Sequence, residues 1–182
     1  MGLVILDRDG VINEDSDAFI KSPEEWRPIP GSLEAIARLH QAGYRVVVAT
    51  NQSGLARGLF DLATLHRIHA RMVRSVQAHG GHLEAIFFCP HGPDDDCACR
   101  KPRPGLLLEA ARRLDRSLAG VPMVGDSLRD LQAARAAGAR PVLVRSGKGE
   151  RTLEAGDLGP EPPPVHADLA AFVDHLLQAG RP

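Results

Sequence analysis

Short apolar runs alternate with amphipathic stretches along most of the chain. Each run is continuous and rich in branched residues, which is typical of a strand buried on both faces of a parallel sheet. The predicted strands are residues 2–6, 45–49, 85–88, 121–124 and 141–144. Between them, apolar residues recur at helical spacing, with Gly or Pro near the ends, and Ser32 is the expected N-cap of the first helix. The predicted helices are residues 33–39, 62–76, 106–118, 128–137 and 169–177.

Strands that alternate with helices predict an α/β fold: a doubly wound, Rossmann-like parallel sheet with right-handed crossovers. We expect one domain over residues 1–182, since this length suits a single core and neither a repeat nor a low-complexity run marks a second domain. The connection over residues 13–30 is long for this architecture, which favours a flap at the functional site. Residues 147–164 are rich in Gly, Pro and Glu and are predicted to form a loop.

Charge and hydropathy exclude several classes of protein. The net charge of −1 gives no excess of cations to release counterions from a polyanion, so we expect no nucleic-acid partner. The longest apolar runs are far shorter than the roughly 20 residues that span a bilayer, so we expect no membrane segment. A signal peptide needs a basic start and a longer apolar core than the chain offers before Asp7, which favours a cytoplasmic protein.

Polar side chains follow four of the predicted strands, and ligands of such sheets bind beyond the carboxyl ends of the strands. They are Asp7 and Asp9 after the first strand, Thr50 and Asn51 after the second, Arg100 and Lys101 after the third, and Asp126 after the fourth. Any one of these motifs alone is more often a surface turn, a helix cap or a solvated lysine than a catalytic group. Four of them on one edge of the sheet favour a functional site.

The chemistry of this set points to phosphoryl transfer. Carboxylates that face each other repel unless a cation lies between them, and hard oxygen ligands select Mg²⁺. Thr50, Asn51 and Lys101 supply the donors and the positive charge that a phosphoryl group needs. Asp7 suits a nucleophile that forms an aspartyl phosphate, and Asp9 suits a general acid and base two residues further on.

The same motifs resemble those of the haloacid dehalogenase superfamily of phosphatases over nearly the whole chain. They are Asp7-Arg8-Asp9-Gly10-Val11-Ile12, Thr50-Asn51-Gln52-Ser53-Gly54, Lys101-Pro102 and Gly125-Asp126-Ser127-Leu128-Arg129-Asp130. The resemblance implies that Thr50 and Lys101 hold the phosphate and that Mg²⁺ is held by Asp7, Asp126 and the backbone carbonyl of Asp9. It also implies that Asp130 supports the water shell of the metal. The gaps between the motifs are too short for a large cap domain, so a nearly capless enzyme is expected.

All three cysteines lie within one short segment beside a histidine, at Cys89, His91, Cys97 and Cys99. An odd number of cysteines without a secretion signal argues against disulfides. Three thiolates and one imidazole suit tetrahedral Zn²⁺ with no open position, so the predicted site is structural. The zinc would supply folding energy to a loop rich in Gly, Pro and Asp and would fix the neighbouring Arg100 and Lys101. The alternative is three free cysteines and a surface histidine.

The cysteine segment resembles the zinc loop of the family of heptose-bisphosphate and histidinol-phosphate phosphatases. Residues 51–58 favour the heptose branch, in which Arg100 is expected to contact the substrate and Arg57 to help hold a bisphosphate. The resemblance thus implies a small phosphorylated metabolite, a sugar bisphosphate, as substrate in lipopolysaccharide synthesis, and we expect a monomer. The alternatives are histidinol phosphate as substrate, a nucleic-acid-binding zinc module without enzymatic activity and, as a minor alternative, a phosphatase that acts on nucleic-acid ends.

The remaining aromatic and imidazole side chains carry no predicted chemistry. Trp26 is expected to be a packing anchor of the flap. The histidines expected at the surface or at helix ends are His40, His66, His69, His79 and His82.

Overall fold

The computed structural model describes residues 2–179; Met1 and residues 180–182 of the predicted domain lie outside the described residues. A parallel sheet runs through the centre of the molecule. Its strands are β1 (Leu3–Leu6), β2 (Arg45–Asn51), β3 (Ala85–Cys89), β4 (Pro122–Gly125), β5 (Arg140–Val144) and β6 (Val165–His166). They are ordered β3-β2-β1-β4-β5-β6, and every neighbouring pair is parallel. The predicted α/β doubly wound fold is confirmed.

Helices cover both faces of the sheet. They are α1 (Ser32–Gln41), α2 (Leu62–Ala78), α3 (Gly105–Leu114), α4 (Leu128–Ala136), α5 (Gly149–Glu154) and α6 (Leu169–Ala179), with a short 3₁₀ helix at Pro23–Glu25. None of the helices within residues 2–179 has the length and apolar character that crossing a membrane requires.

Alternate side chains of β1 enter two separate cores. Val4 and Leu6 of β1 pack with residues of α1, α2 and α6. Leu3 and Ile5 point to the other face, where they pack with residues of α3 and α4. This period of two, with all four residues buried, is what a strand covered on both sides requires, and it explains why an unbroken apolar run predicted it.

The order of the strands reverses at β1. β2 and β3 lie on one side of β1, and β4, which comes later in the sequence, lies directly on its other side. Such a switch point opens a crevice beyond the carboxyl ends of the two strands. Asp7 follows β1 directly and its backbone N–H donates to Val124 O of β4 at 2.9 Å. The fold therefore places the first predicted catalytic residue at the point where a ligand has most room.

Several predicted boundaries were wrong. β2 continues to Asn51 because Thr50 and Asn51 pair with Phe88 and Cys89 of β3. α3 ends at Leu114, where Asp115 turns to φ 49°, instead of reaching Leu118. Ser32 is the first residue of α1 and the N-cap is Gly31; the Ser32 hydroxyl donates to Ile12 O at 2.7 Å.

The predicted loop over residues 147–164 was also wrong at its start. It contains α5, and the strand β6 follows it at Val165. α5 has six residues without an apolar period, and β6 has two, so neither gives a sequence pattern.

The segment over residues 13–30 wraps back along the edge of the sheet. Asn13 forms single β-bridges with both Asp9 and Pro28, which joins the two ends of the segment. Trp26 is 1% exposed and packs into the larger core. The segment is thus anchored by the indole ring, and the prediction for Trp26 is confirmed.

Candidate active site

A cleft at the carboxyl edge of the sheet brings together the residues predicted for catalysis, phosphate binding and Mg²⁺, with the exception of Thr50. Its lining includes the carboxylates Asp7, Asp9 and Asp126, the amide of Asn51, and the cations Arg57, Arg100 and Lys101. Thr50 is fully buried and lies behind the lining, where its hydroxyl accepts a hydrogen bond from Gln52 Nε2 at 2.9 Å.

The centre of the cleft is a buried lysine between two carboxylates. Lys101 Nζ lies 2.9 Å from Asp7 Oδ1 and 2.6 Å from Asp130 Oδ1, and it donates to Ala49 O at 2.8 Å. Burial alone lowers the pKa of Lys101, but the negative charges of Asp130 and Asp7 outweigh burial and raise it. The lysine is therefore charged beside the predicted nucleophile.

The loop that carries Lys101 is fastened to β2 by a side chain. Asn51 Nδ2 donates to Lys101 O at 3.0 Å, and Lys101 N donates to Asn51 Oδ1 at 3.0 Å. Because both polar groups of the Asn51 amide are used in this pair, the side chain holds the lysine loop against the end of β2.

Asp7, Asp126 and Asp130 form a cluster whose carboxylate oxygens lie within 4.8 Å of one another. Burial raises the pKa of Asp7 to about 7, against the opposing effect of Lys101. Burial, with the charges of Asp130 and Asp7, raises the pKa of Asp126 to about 8. Ionising neighbouring buried carboxylates is unfavourable unless a cation lies between them. Their oxygen atoms are the ligands that Mg²⁺ uses in proteins. Asp130 also caps α4, where Ser127 N and Oγ donate to its Oδ2.

Two glycines make room for the carboxylate of Asp126. A Cβ atom on Gly10 would lie 2.0 Å from Asp126 Oδ2, and one on Gly147 would lie 2.3 Å from the same oxygen. Both residues have positive φ angles, of 82° and 61°. Only glycine fits these positions, so the backbone itself shapes the Asp126 pocket.

The second acid of the first motif faces away from this cluster. Asp9 accepts hydrogen bonds from Arg8, from Asn13 Nδ2 at 2.9 Å and from Gln52 Nε2 at 3.0 Å. Burial raises the pKa of Asp9, but the Arg8 charge and these hydrogen bonds outweigh burial and lower it. Asp9 is therefore held as a carboxylate at the side of the cleft.

Cations that the sequence reasoning missed also reach the cleft. Arg129 lines it next to Asp130, and Lys148 lines it after β5, with its Nζ 2.8 Å from Asp15 Oδ2 of the flap. The available signals were the place of Arg129 within the fourth motif and of Lys148 beyond the end of a parallel strand.

The zinc-ligand prediction is matched by a compact cluster. His91 Nδ1 lies 3.5 Å from Cys89 Sγ and 3.3 Å from Cys99 Sγ, and Cys97 Sγ lies 3.8 Å from Cys89 Sγ. One ligand atom from each of the four residues lies within 4.8 Å of the others. This Cys₃His donor set is that of a structural zinc site. The cluster precedes Arg100, whose Nη1 donates to His91 O at 3.2 Å.

One histidine prediction was wrong. His69 is 7% exposed, on the buried face of α2, and its Nε2 lies 3.3 Å from Arg8 Nη1. The signal was its position four residues after the core residue Leu65 and three before Met72, which continues the apolar stripe of the helix.

The parallel sheet, the acid pair after β1 and the buried lysine at the same edge define a phosphohydrolase of the haloacid dehalogenase type. The family described as HAD-hydrolase-like matches residues 98–172, and that described as polynucleotide kinase 3 phosphatase matches residues 3–134. The D-glycero-beta-D-manno-heptose-1,7-bisphosphate 7-phosphatase of Bordetella bronchiseptica is 64% identical over 178 residues, which cover 98% of this chain and 99% of the relative. The corresponding enzyme of Pseudomonas putida is 58% identical, with 97% and 100% covered.

Solved structures agree with these sequences. The crystal structure of D,D-heptose 1,7-bisphosphate phosphatase from B. bronchiseptica complexed with magnesium and phosphate has a TM-score of 0.96 and 63% identity, and covers 99% of this chain and 100% of that chain. The structure from Burkholderia thailandensis has a TM-score of 0.78 and 52% identity, with 97% and 99% covered. The chain belongs to the D-glycero-beta-D-manno-heptose-1,7-bisphosphate 7-phosphatase family of the haloacid dehalogenase superfamily.

Proposed function

We propose that this chain is a Mg²⁺-dependent phosphatase that removes the 7-phosphate of D-glycero-D-manno-heptose 1,7-bisphosphate through an aspartyl phosphate. The observation that carries the proposal is Asp7 at the switch point of the sheet, with Lys101 Nζ 2.9 Å from its Oδ1, in a chain 64% identical to such an enzyme. A carboxylate and a phosphate are both negatively charged and repel each other. A fixed cation beside the carboxylate offsets this repulsion, so the carboxylate can approach the phosphate.

In the first step, a carboxylate oxygen of Asp7 attacks the phosphorus of the 7-phosphate, and the bond from phosphorus to the sugar oxygen breaks. Asp9 is a carboxylate in the free enzyme and must take up a proton before this step; it then donates that proton to the sugar oxygen, so the sugar leaves as a neutral alcohol. Lys101 is charged when substrate binds, because Asp130 and Asp7 raise its pKa, and it neutralises charge on the transferring group.

In the second step, water attacks the phosphorus of the aspartyl phosphate. Asp9, now a carboxylate, takes a proton from the water, and the bond from phosphorus to Asp7 breaks to release inorganic phosphate. Mg²⁺ held by Asp7, Asp126 and the backbone carbonyl of Asp9 supplies charge neutralisation and orientation of the phosphoryl oxygens. Asn51 holds the loop of Lys101 at the end of β2, and phosphate binding by Thr50 stays a prediction, since its hydroxyl lies behind the lining beside Gln52.

The second phosphate of the substrate has a candidate site of its own. Arg57, Arg100 and Arg129 all line the cleft. Burial lowers the pKa of Arg100, and the positive charges of Arg129 and Arg57 lower it further. Within residues 2–179, none of these three guanidinium groups forms an ion pair with a carboxylate, and mutually repelling cations without acidic partners fit a dianionic ligand. We assign them to the 1-phosphate.

A structural Zn²⁺ held by Cys89, His91, Cys97 and Cys99 would fix the segment that leads into Arg100 and Lys101. Since Cys99 is bonded to Arg100 in the chain, loss of the metal would free the two cations from their places at the cleft.

We further infer that the chain acts as a cytoplasmic monomer in the supply of heptose for lipopolysaccharide.

The test compares kcat/KM for heptose 1,7-bisphosphate, histidinol phosphate and a 3′-phosphorylated oligonucleotide. We expect a preference of at least about 100-fold for the bisphosphate, since histidinol phosphate has no second phosphate for the arginine cluster and the oligonucleotide offers it only singly charged phosphodiesters. In Arg129→Met the loss of kcat/KM should be larger for the bisphosphate than for heptose 7-phosphate. A higher kcat/KM on histidinol phosphate or on the oligonucleotide would overturn the substrate assignment.

A further inference from the structure

Arg8 stands between the two acids of the first motif, and it is almost completely buried. It is 1% exposed, although arginine is among the residues most rarely buried. Even-numbered side chains of β1 point to the larger core, and Arg8, the second residue after the strand, continues that direction. The guanidinium group is therefore inserted between the sheet and α2, beside the cleft.

The guanidinium holds both oxygens of Asp9. Nε and Nη2 donate to Asp9 Oδ1 at 3.1 and 2.9 Å, and Nη2 also donates to Oδ2 at 3.1 Å. The other side-chain donors to this carboxylate are the neutral amides of Asn13 and Gln52. Within the described part of the chain, Arg8 supplies the one cation paired with Asp9. A two-point contact of this kind fixes the plane of the carboxylate as well as its position.

The remaining terminal nitrogen of Arg8 is held by a histidine. Arg8 Nη1 lies 3.3 Å from Nε2 of His69, and the His69 ring packs edge-on against Phe88 at 6.0 Å between centroids. Burial, together with the Arg8 charge, lowers the pKa of His69 to about 3. The ring is neutral at physiological pH, so Nε2 accepts the hydrogen bond from Arg8 and Nδ1 carries the ring hydrogen.

Burying the guanidinium group of Arg8 removes it from water and costs free energy. A buried ion pair seldom stabilises a fold more than apolar residues of the same size would. Arg8 and His69 occupy positions that Val4, Leu6, Leu65 and Met72 fill with apolar side chains elsewhere on the same faces. The benefit of a guanidinium here is directional: it orients a carboxylate that must reach a substrate oxygen.

We propose that Arg8 is a positioning residue for Asp9 and that His69 is a positioning residue for Arg8, so that the chain His69–Arg8–Asp9 aims the general acid and base of the reaction. The proposal rests on the role given above to Asp9. It predicts a defect confined to steps in which a proton moves to or from the leaving group or the water.

The test uses leaving groups that differ in their need for a proton. The sugar alkoxide must be protonated as it leaves, whereas 2,4-dinitrophenolate leaves without help. kcat/KM reports the steps up to the first release, so it isolates this difference from hydrolysis of the aspartyl phosphate. Arg8→Met should lower kcat/KM for heptose 1,7-bisphosphate by at least about 30-fold and that for 2,4-dinitrophenyl phosphate by less than about 3-fold. Equal losses on the two substrates would overturn the proposal.

His69 gives a second pair of variants that leaves the Arg8–Asp9 contact in place. His69→Leu removes the acceptor and should reproduce the selective defect at about 3- to 10-fold, whereas His69→Gln supplies an acceptor and should restore the wild-type ratio of the two substrates. Identical ratios in the Leu and Gln variants would contradict the role of His69. This arm stands even if Arg8→Met does not fold.

A double-mutant cycle separates positioning from general stability. Once Asp9→Asn has removed the proton-carrying group, adding Arg8→Met should cause no further loss of kcat/KM on the bisphosphate; a further loss equal to that in the wild-type background would overturn the proposal. Arg45→Met is the matched control, because Arg45 also pairs with a carboxylate, Glu84 at 2.7 Å, but outside the cleft. If the wild-type protein hydrolyses neither ester, the proposed function fails; if it hydrolyses both and Arg8→Met is unselective, only this inference fails.

Discussion

Replacing Lys101 by Met tests the electrostatic centre of the site. The wild-type ammonium group contacts Asp7 Oδ1 at 2.9 Å and Asp130 Oδ1 at 2.6 Å, with lysine and Asp130 side chains 2% and 1% exposed. Met fills a similar volume but carries no charge. The variant leaves two buried carboxylates next to Asp126 without the cation that faces them, while the packing changes little.

The expected loss of stability follows from this geometry. Removing one partner of a buried ion pair costs about 3–5 kcal/mol, because the remaining charge is buried without compensation. For a chain of this size, each kcal/mol lowers Tm by about 2–4 °C, so we expect a decrease of about 6–20 °C without metal. Since the carboxylates have lost their cation, Mg²⁺ should raise Tm more in the variant than in the wild-type protein. kcat should fall by at least about 100-fold.

The assay is thermal unfolding followed by circular dichroism, with EDTA and with saturating Mg²⁺. Lys148→Met is the matched control: its ammonium group pairs with Asp15 at 2.8 Å, but the lysine side chain is 34% exposed. Loss of a partly solvated pair should cost only about 0–1 kcal/mol. A Lys101→Met protein as stable as this control in EDTA, or one that gains no more from Mg²⁺ than the wild-type protein, would refute the reasoning.

Three further predictions address the metals and the second phosphate. Gly147→Ala should raise the Mg²⁺ concentration for half-maximal activity by at least about 10-fold, because the new Cβ would lie 2.3 Å from Asp126 Oδ2. The control Gly138→Ala, at φ 73° but with nothing within 4 Å of the new Cβ, should leave this concentration unchanged. The same Mg²⁺ concentration in both variants would contradict the account. Cys99→Ser should abolish bound zinc in metal analysis of the purified protein and lower kcat, and full activity without zinc would disprove the role of the loop. Arg100→Met should raise KM for the bisphosphate by at least about 10-fold in steady-state assays. An unchanged KM would show that Arg100 does not bind the substrate.

The parts of the fold that could be predicted from sequence are those in which local pattern and burial coincide. The four residues of β1 are all buried, so they form an unbroken apolar run. α2 shows its apolar stripe at Leu65, Ile68, Met72 and Val76. α5 and β6 could not be predicted, because both depend on contacts with β5. A Cβ atom on Gly149 would collide with Val144 O, and Val165 pairs with Leu143.

The candidate site divides in the same way. Asp7, Asp126 and Lys101 follow parallel strands, and topology alone brings the ends of such strands to one edge. The direction of a side chain beyond its strand end is set by tertiary neighbours, which the sequence does not display. Arg129 therefore reached the cleft unpredicted, and Thr50 was found under Gln52 instead of on the lining. The phosphate-binding role of Thr50 stays a prediction.

The central claim is that phosphorus becomes bonded to Asp7 during turnover. The direct measurement is rapid acid quenching of the enzyme with substrate labelled in the 7-phosphate, followed by borohydride reduction and mass spectrometry of the N-terminal peptide. Borohydride converts an acyl phosphate to an alcohol, so the account predicts homoserine in place of Asp7 in wild-type protein and no such conversion in Asp7→Asn. Product formation with Asp7 unmodified, or reduction at Asp9 or Asp126 instead, would contradict it.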